Sequence, residues 1–172
     1  MVFTPFCPFA PFAESVPSAL EDRPIYYMQC AYNEAIRAWW LGEIPIGAVA
    51  VVNNRIVGRA YNQVERQRDP CAHAEIQLIR RLTRQRGDWR LTDVTIYVTK
   101  EPCPMCSGAI FKARIPRVVL GAYDRRQGCL GGCLHFNALG LYHHVDVSLN
   151  DLNGACERLL TTFFKMRRQH GH

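Results

Sequence analysis

The chain has 172 residues, 48% hydrophobic and 21% charged, and its 21 Lys plus Arg against 15 Asp plus Glu give a formal charge of +6. That length provides one domain with room for a self-sufficient core, and the composition excludes wholesale disorder. No apolar run reaches the ~18 residues of a membrane span, and the basic excess admits a nucleic-acid partner without requiring one.

Residues 1–22 stand apart. Phe3, Phe6, Phe9 and Phe12 recur every third position, as do Pro5, Pro8 and Pro11, which is the period of polyproline II. The segment lacks the basic start and continuous apolar stretch of a secretory signal. It reads as a disordered leader, or as a translation start assigned too early. Asp22-Arg23-Pro24 opens a helix whose Met28, Tyr32, Ala35, Ile36 and Trp39 share one face, with Gly42 at its exit. Residues 46–52 predict a buried strand, Asn53-Asn54 a turn, and residues 55–61 its hairpin partner. After a polar loop at 63–68, Asp69-Pro70 opens a second helix over about 71–86. Residues 94–98 predict a third strand, and Pro104 starts a third helix that must stop before Pro116. A fourth strand at 118–120, a Gly-rich connection at 128–140, a short strand at 145–147 and a closing helix at 151–169 complete the chain. Helices alternating with strands after an opening hairpin predict an α/β fold for residues 23–172, a three-layer α/β/α sandwich around a mixed five-stranded sheet.

The eight cysteines, in a chain with no secretory signal and enough core to fold without staples, read as reduced thiols of a cytoplasmic protein. Two fragments carry the chemistry: His73-Ala74-Glu75 and Pro102-Cys103-Pro104-Met105-Cys106. Cys103 and Cys106 lie three apart at a helix start, so their sulfurs share a face, and the partial positive charge there favours thiolates. His73, in the first turn of the preceding helix, supplies a third ligand. Three protein ligands leave one tetrahedral position open, the layout of a catalytic zinc, one per chain. Glu75 lies close enough to reach a zinc-activated water without binding metal, and can move its proton. Cys71, Cys129 and Cys133 are expected to be packing thiols. A redox pair or a closed structural zinc site is the bland reading of C-x-x-C, but a closed site needs a fourth protein ligand.

The H-x-E and P-C-x-x-C fragments together form the signature of the zinc-dependent nucleobase deaminases. Within that superfamily the chain resembles the bacterial tRNA adenosine deaminases from about Tyr26 to Gln169. The resemblance runs through Glu43-Ile44-Pro45-Ile46-Gly47-Ala48, Tyr61-Asn62, Pro70-Cys71-Ala72-His73-Ala74-Glu75, Gly121-Ala122-Tyr123-Asp124 and Phe163-Phe164-Lys165-Met166-Arg167-Arg168. It implies a cytidine-deaminase-like fold and a homodimer. It also implies hydrolytic deamination of adenosine to inosine at the wobble position of a tRNA anticodon. His73, Cys103 and Cys106 would hold zinc, with Glu75 as proton shuttle. It further implies that Asn62 contacts the target nucleoside, the Ala74 N–H holds the base edge, and Asp124 lies near the flanking ribose-phosphate. Cys71 stands where threonine is usual, Lys100 where leucine is usual, and Gly132-Cys133-Leu134-His135 departs from the family's loop.

In the closing helix Leu152, Cys156, Leu159, Leu160 and Phe163 share the face that should pack. Lys165, Arg167 and Arg168 bring charge elsewhere, and the resemblance places this helix beside the anticodon loop, where Phe164 would stack on a base. Two other functions remain open: zinc-dependent deamination of a free base of guanine or cytosine type, and a non-catalytic zinc-stabilised RNA-binding subunit.

Overall fold

A computed structural model describes residues 6–169 of the chain. Phe3 and Pro5 of the leader stripe lie outside these residues.

The first helix, α1 (Arg23–Trp40), starts with Pro24 in its first turn, where a missing N–H costs nothing. The strands β1 (Gly47–Val52) and β2 (Arg55–Tyr61) form an antiparallel hairpin. Asn53 and Asn54 both take positive φ, as a two-residue type I′ turn requires. After α2 (Val64–Gln67) and α3 (Ala74–Arg86) come β3 (Thr95–Val98), α4 (Pro104–Lys112), β4 (Arg117–Leu120), β5 (Asp146–Leu149) and α5 (Ala155–Gln169). The sheet order is β2-β1-β3-β4-β5, with β1 antiparallel to both neighbours and β3, β4 and β5 parallel. This is the mixed five-stranded sheet that the alternation predicts.

Period-2 burial divides the core into two layers. Val49, Val51, Tyr97 and Val119 face α1 and α5, packing with Met28, Trp39, Leu159 and Phe163. Ala48, Ala50, Ile96, Val98, Val118 and Leu120 face α3 and α4, packing with Leu78, Leu82, Ile110 and Phe111. The α1–β1 contact demands Gly47: a Cβ there would stand 2.2 Å from the Ala31 carbonyl oxygen. Backbone meets backbone at that point.

Three helix boundaries differ from the sequence expectation. The polar loop contains α2, and α3 begins at Ala74 rather than near residue 71. Specific hydrogen bonds cause the first two. The buried Glu43 carboxylate, far away in sequence, accepts from the N–H groups of Glu65 and Arg66 and so starts α2. Asp69 accepts from the Cys71 N–H at 2.8 Å and the Ala72 N–H bonds the Asp69 carbonyl, a turn that delays α3. α5 likewise begins at Ala155, after Leu152 and Asn153 in left-handed conformations.

Residues 6–14, within the leader expected to be disordered, lie against α1. Phe6, Phe9 and Phe12 meet Trp40, Trp39 and Tyr32 edge-on, at ring separations of 6.2, 6.3 and 5.1 Å. The partners descend α1 as the leader ascends, so the segment runs antiparallel to the helix. Asn33 clamps it from both sides, accepting from the Phe12 N–H at 2.8 Å and donating to the Phe12 carbonyl at 2.9 Å. Cys7 is buried beneath it.

Candidate metal centre and active site

The site forms where α3 and α4 begin. His73 is the N-cap of α3 and Cys103 the N-cap of α4, both in extended backbone, while Cys106 lies inside α4. His73 therefore precedes the first helical turn in which the sequence reading put it. Extended caps turn both side chains back across the helix ends. Nδ1 of His73 stands 3.7 Å from the Cys103 Sγ and 3.5 Å from the Cys106 Sγ, and all three ligand atoms lie within 4.8 Å of one another. A tetrahedral zinc with Zn–S of about 2.3 Å and Zn–N of about 2.0 Å would set sulfur and nitrogen about 3.5 Å apart. Its two nitrogen–sulfur edges already have the length a metal tetrahedron requires, and its N,S,S donor set suits zinc.

The electrostatics match. The hydrogen bond from Cys106, against the opposition of burial and with help from His73, pulls the Cys103 thiol down to about 4. Sharing that proton, and burial, push the Cys106 thiol far up. The hydrogen bond to Cys103 raises His73. Thiolate character is thus favoured at Cys103, and a divalent cation would displace the proton left at Cys106. Glu75 is buried in the first turn of α3, and burial pushes its carboxyl up to about 6. A carboxyl poised there can both accept and release a proton near neutral pH. Ala74, fully buried, contributes the first N–H of α3.

Asn62 is brought to the same place by the backbone. The Gln63 N–H bonds the Ala72 carbonyl at 2.9 Å, tying the end of β2 to the segment that carries His73. The Asn62 amide donates from Nδ2 to the Glu43 carboxylate at 3.0 Å, which fixes its orientation and leaves the carbonyl oxygen to accept from a ligand. Glu43 is the residue sequence reasoning missed. Completely buried, it holds both Asn62 and the start of α2. Its signals were its place at the head of the Glu43–Ala48 stretch that carries the resemblance and an acidic residue just before a buried strand.

Asp124 is buried and its carboxylate is engaged: Lys100 reaches it at 2.8 Å, and the Arg126 and Gln127 N–H groups donate to it. Lys100, the departure from the family's leucine, is thus its ion-pair partner. Beside it Glu101, also buried, accepts from the N–H groups of Asp124, Leu130 and Gly132 at 2.7, 2.7 and 2.9 Å. Gly128 and Gly132 make this possible, since a Cβ on either would fall 2.1 Å from a Glu101 oxygen. Cys129 is buried as expected and Cys71 half-buried, but Cys133 is exposed, on the turn whose backbone is pulled inward to Glu101. None of the three joins the ligand triangle.

The structure does not bring the closing helix into this cluster. α5 packs on the α1 side of the sheet and the ligands sit on the α3–α4 side. Cys156, Leu159, Leu160 and Phe163 are buried as predicted. Phe164, Lys165 and Arg168 are exposed, while the Arg167 guanidinium covers the Phe163 ring at 5.7 Å.

Comparison with known proteins agrees with this chemistry. A family model, the cytidine and deoxycytidylate deaminase zinc-binding region, matches residues 22–122. The tRNA-specific adenosine deaminase of Bacillus subtilis is 40% identical over 144 residues, covering 83% of this chain and 89% of that protein. A structure from studies of A-to-I editing by tRNA:A34 deaminases at the wobble position superposes with a TM-score of 0.76 at 36% identity, covering 79% of this chain and 99% of that one. A guanine deaminase from Bacillus subtilis matches more narrowly, with a TM-score of 0.54 at 37% identity over 56% of this chain and 62% of that one.

Proposed function

Because the chain belongs to the zinc-binding cytidine and deoxycytidylate deaminase family, we propose that it converts adenosine to inosine at the wobble position of a tRNA anticodon. The observation that carries the chemistry is the His73, Cys103 and Cys106 triangle with Glu75 buried beside it. The tRNA substrate rests on the similarity to tRNA-specific adenosine deaminases along most of both chains.

His73, Cys103 and Cys106 would hold one zinc ion, which when bound supplies a Lewis acid that makes hydroxide available from water near pH 7. Glu75 takes one proton from the attacking water and passes it to N1 of the adenine; it then takes the proton of the new C6 hydroxyl and gives it to the amine, so that the C6–N bond breaks, the C6 carbonyl forms and ammonia leaves. The Asn62 carbonyl oxygen accepts from the target nucleoside and the Ala74 N–H holds the base edge. Asp124, held by Lys100, keeps the neighbouring loop in place at the flanking ribose-phosphate. Lys165, Arg167, Arg168 and Phe164 form a further RNA contact at the end of α5.

The protein works as a homodimer in the cytoplasm. Exposed Leu139, Leu141 and Tyr142 offer apolar surface for a second copy, and among the described residues no helix is long and apolar enough to cross a membrane. Incubation of zinc-loaded protein with tRNA bearing adenosine at the wobble position tests the reading. Inosine, read as an A-to-G change on reverse transcription, should appear at that position alone. Unchanged adenosine there would overturn it.

A further inference from the structure

A trough runs across the outer surface from the leader to α3, outside the ligand cluster. Its middle is a groove of about 660 Å³ walled by Arg37, Arg59, Tyr61, Arg66 and Arg81. One end continues into a hollow of about 380 Å³ that shares Arg37, Tyr61 and Arg66 and adds Trp40 and Pro11. The other end continues along α3 through Arg81 to Arg80 and Arg84. The middle groove is also lined by Gln63, so Tyr61 and Gln63 put its rim on either side of Asn62.

The charge of this trough is predominantly positive. Glu14 is occupied by Arg59 and Asn33, Asp69 faces Arg80, and Glu34, which also lines the middle groove, is almost wholly buried. Arg37, Arg66, Arg81 and Arg84 have no carboxylate within ion-pair distance among the described residues. Arg37 lies over the Tyr61 ring at 5.1 Å, and Trp40 remains 51% exposed. Guanidinium groups without a carboxylate in ion-pair contact, interleaved with aromatic rings along an open track, match the chemistry of single-stranded nucleic acid, with phosphates on arginine and bases on aromatic faces. A free base would need no such track.

We propose that this trough is a binding surface for the RNA strand leading away from the target nucleotide, its backbone on Arg66, Arg81 and Arg84 and an unstacked base against Trp40. This rests on the tRNA reading above and adds a surface to it, crossing the β2 edge of the sheet from α1 to α3. The test compares three proteins, each with its zinc content and thermal midpoint checked: wild type, R66A/R81A/R84A and R66K/R81K/R84K. The probe is a stem-loop RNA carrying an anticodon loop with adenosine at the wobble position, titrated by fluorescence anisotropy across a salt series. Three phosphate contacts on single-stranded RNA contribute a slope of about 2 in log K against log salt, so the alanine variant should bind about 100-fold more weakly at 0.1 M salt. The lysine variant should recover most of the slope. An alanine variant with the wild-type slope and affinity, in a wild type that binds and edits RNA, overturns the trough and leaves the function standing. A wild type that binds no RNA overturns both.

Discussion

Replacing Glu43 by Gln changes one oxygen to an amide and should be felt at both stability and turnover. Glu43 is completely buried, and its two oxygens accept three hydrogen bonds: Asn62 Nδ2 at 3.0 Å, the Glu65 N–H at 3.2 Å and the Arg66 N–H at 2.8 Å. Hydrogen bonds to a charged acceptor are worth about 1.5 to 3 kcal/mol each. Glutamine can serve the Asn62 and Glu65 donors with its one oxygen, more weakly, but then its NH2 faces the Arg66 N–H. One bond is lost and two are weakened, which comes to about 3 kcal/mol, a large share of a typical folding free energy. Urea unfolding should show a lower midpoint at unchanged slope. Asn62 should lose its fixed orientation, so kcat/KM should fall, and adding Asn62→Ala to the Glu43→Gln background should cost much less than Asn62→Ala alone. A Glu43→Gln protein within 0.5 kcal/mol of wild type, or strictly additive kinetics, would refute the claim that Glu43 positions Asn62.

Glu75→Ala should keep zinc and fold while losing nearly all turnover, as metal analysis beside a single-turnover assay will show; loss of the metal would make Glu75 structural. Lys100→Leu should cost about 1 to 2 kcal/mol near neutral pH, because it strips the partner from a buried carboxylate at a partly exposed edge. Burial opposes ionisation of Asp124, but the hydrogen bonds from Lys100, Arg126 and Gln127 outweigh it and hold the carboxyl below its ordinary value. The stability it contributes is therefore present above about pH 3.9 and is lost as the pH falls through the lower folded value. The gap between wild type and Lys100→Leu should close on acidification, and a gap unchanged at low pH would contradict this. Deleting residues 1–22 should leave deamination intact, since none of the described leader residues, 6–22, belongs to the ligand cluster, but should lower stability by about 2 to 4 kcal/mol as Phe9, Phe12 and Cys7 leave α1. An unaltered thermal midpoint would mean that the docked leader contributes nothing.

The sheet order follows from features visible along the chain: apolar runs of strand length, an Asn-Asn turn, prolines at helix starts. The ligand triangle was legible for the same reason, since its three residues lie at or beside helix starts that their own neighbours mark. What stayed hidden is held by contacts remote in sequence. Glu43 caps α2 from 22 residues away, and Glu101 gathers three N–H groups from up to 31 residues away; neither leaves a local periodicity. The Phe stripe announced itself by a period of three, but nothing in that period names the α1 aromatics it meets. Lys100 read as a departure from a pattern, and its meaning lay in Asp124, across the loop.

The most direct measurement is ammonia release by zinc-loaded protein from tRNA bearing a wobble adenosine, beside free adenine, guanine and cytosine under the same conditions. The account predicts one ammonia per tRNA and no release above background from the free bases. Release from a free base with none from tRNA would contradict it.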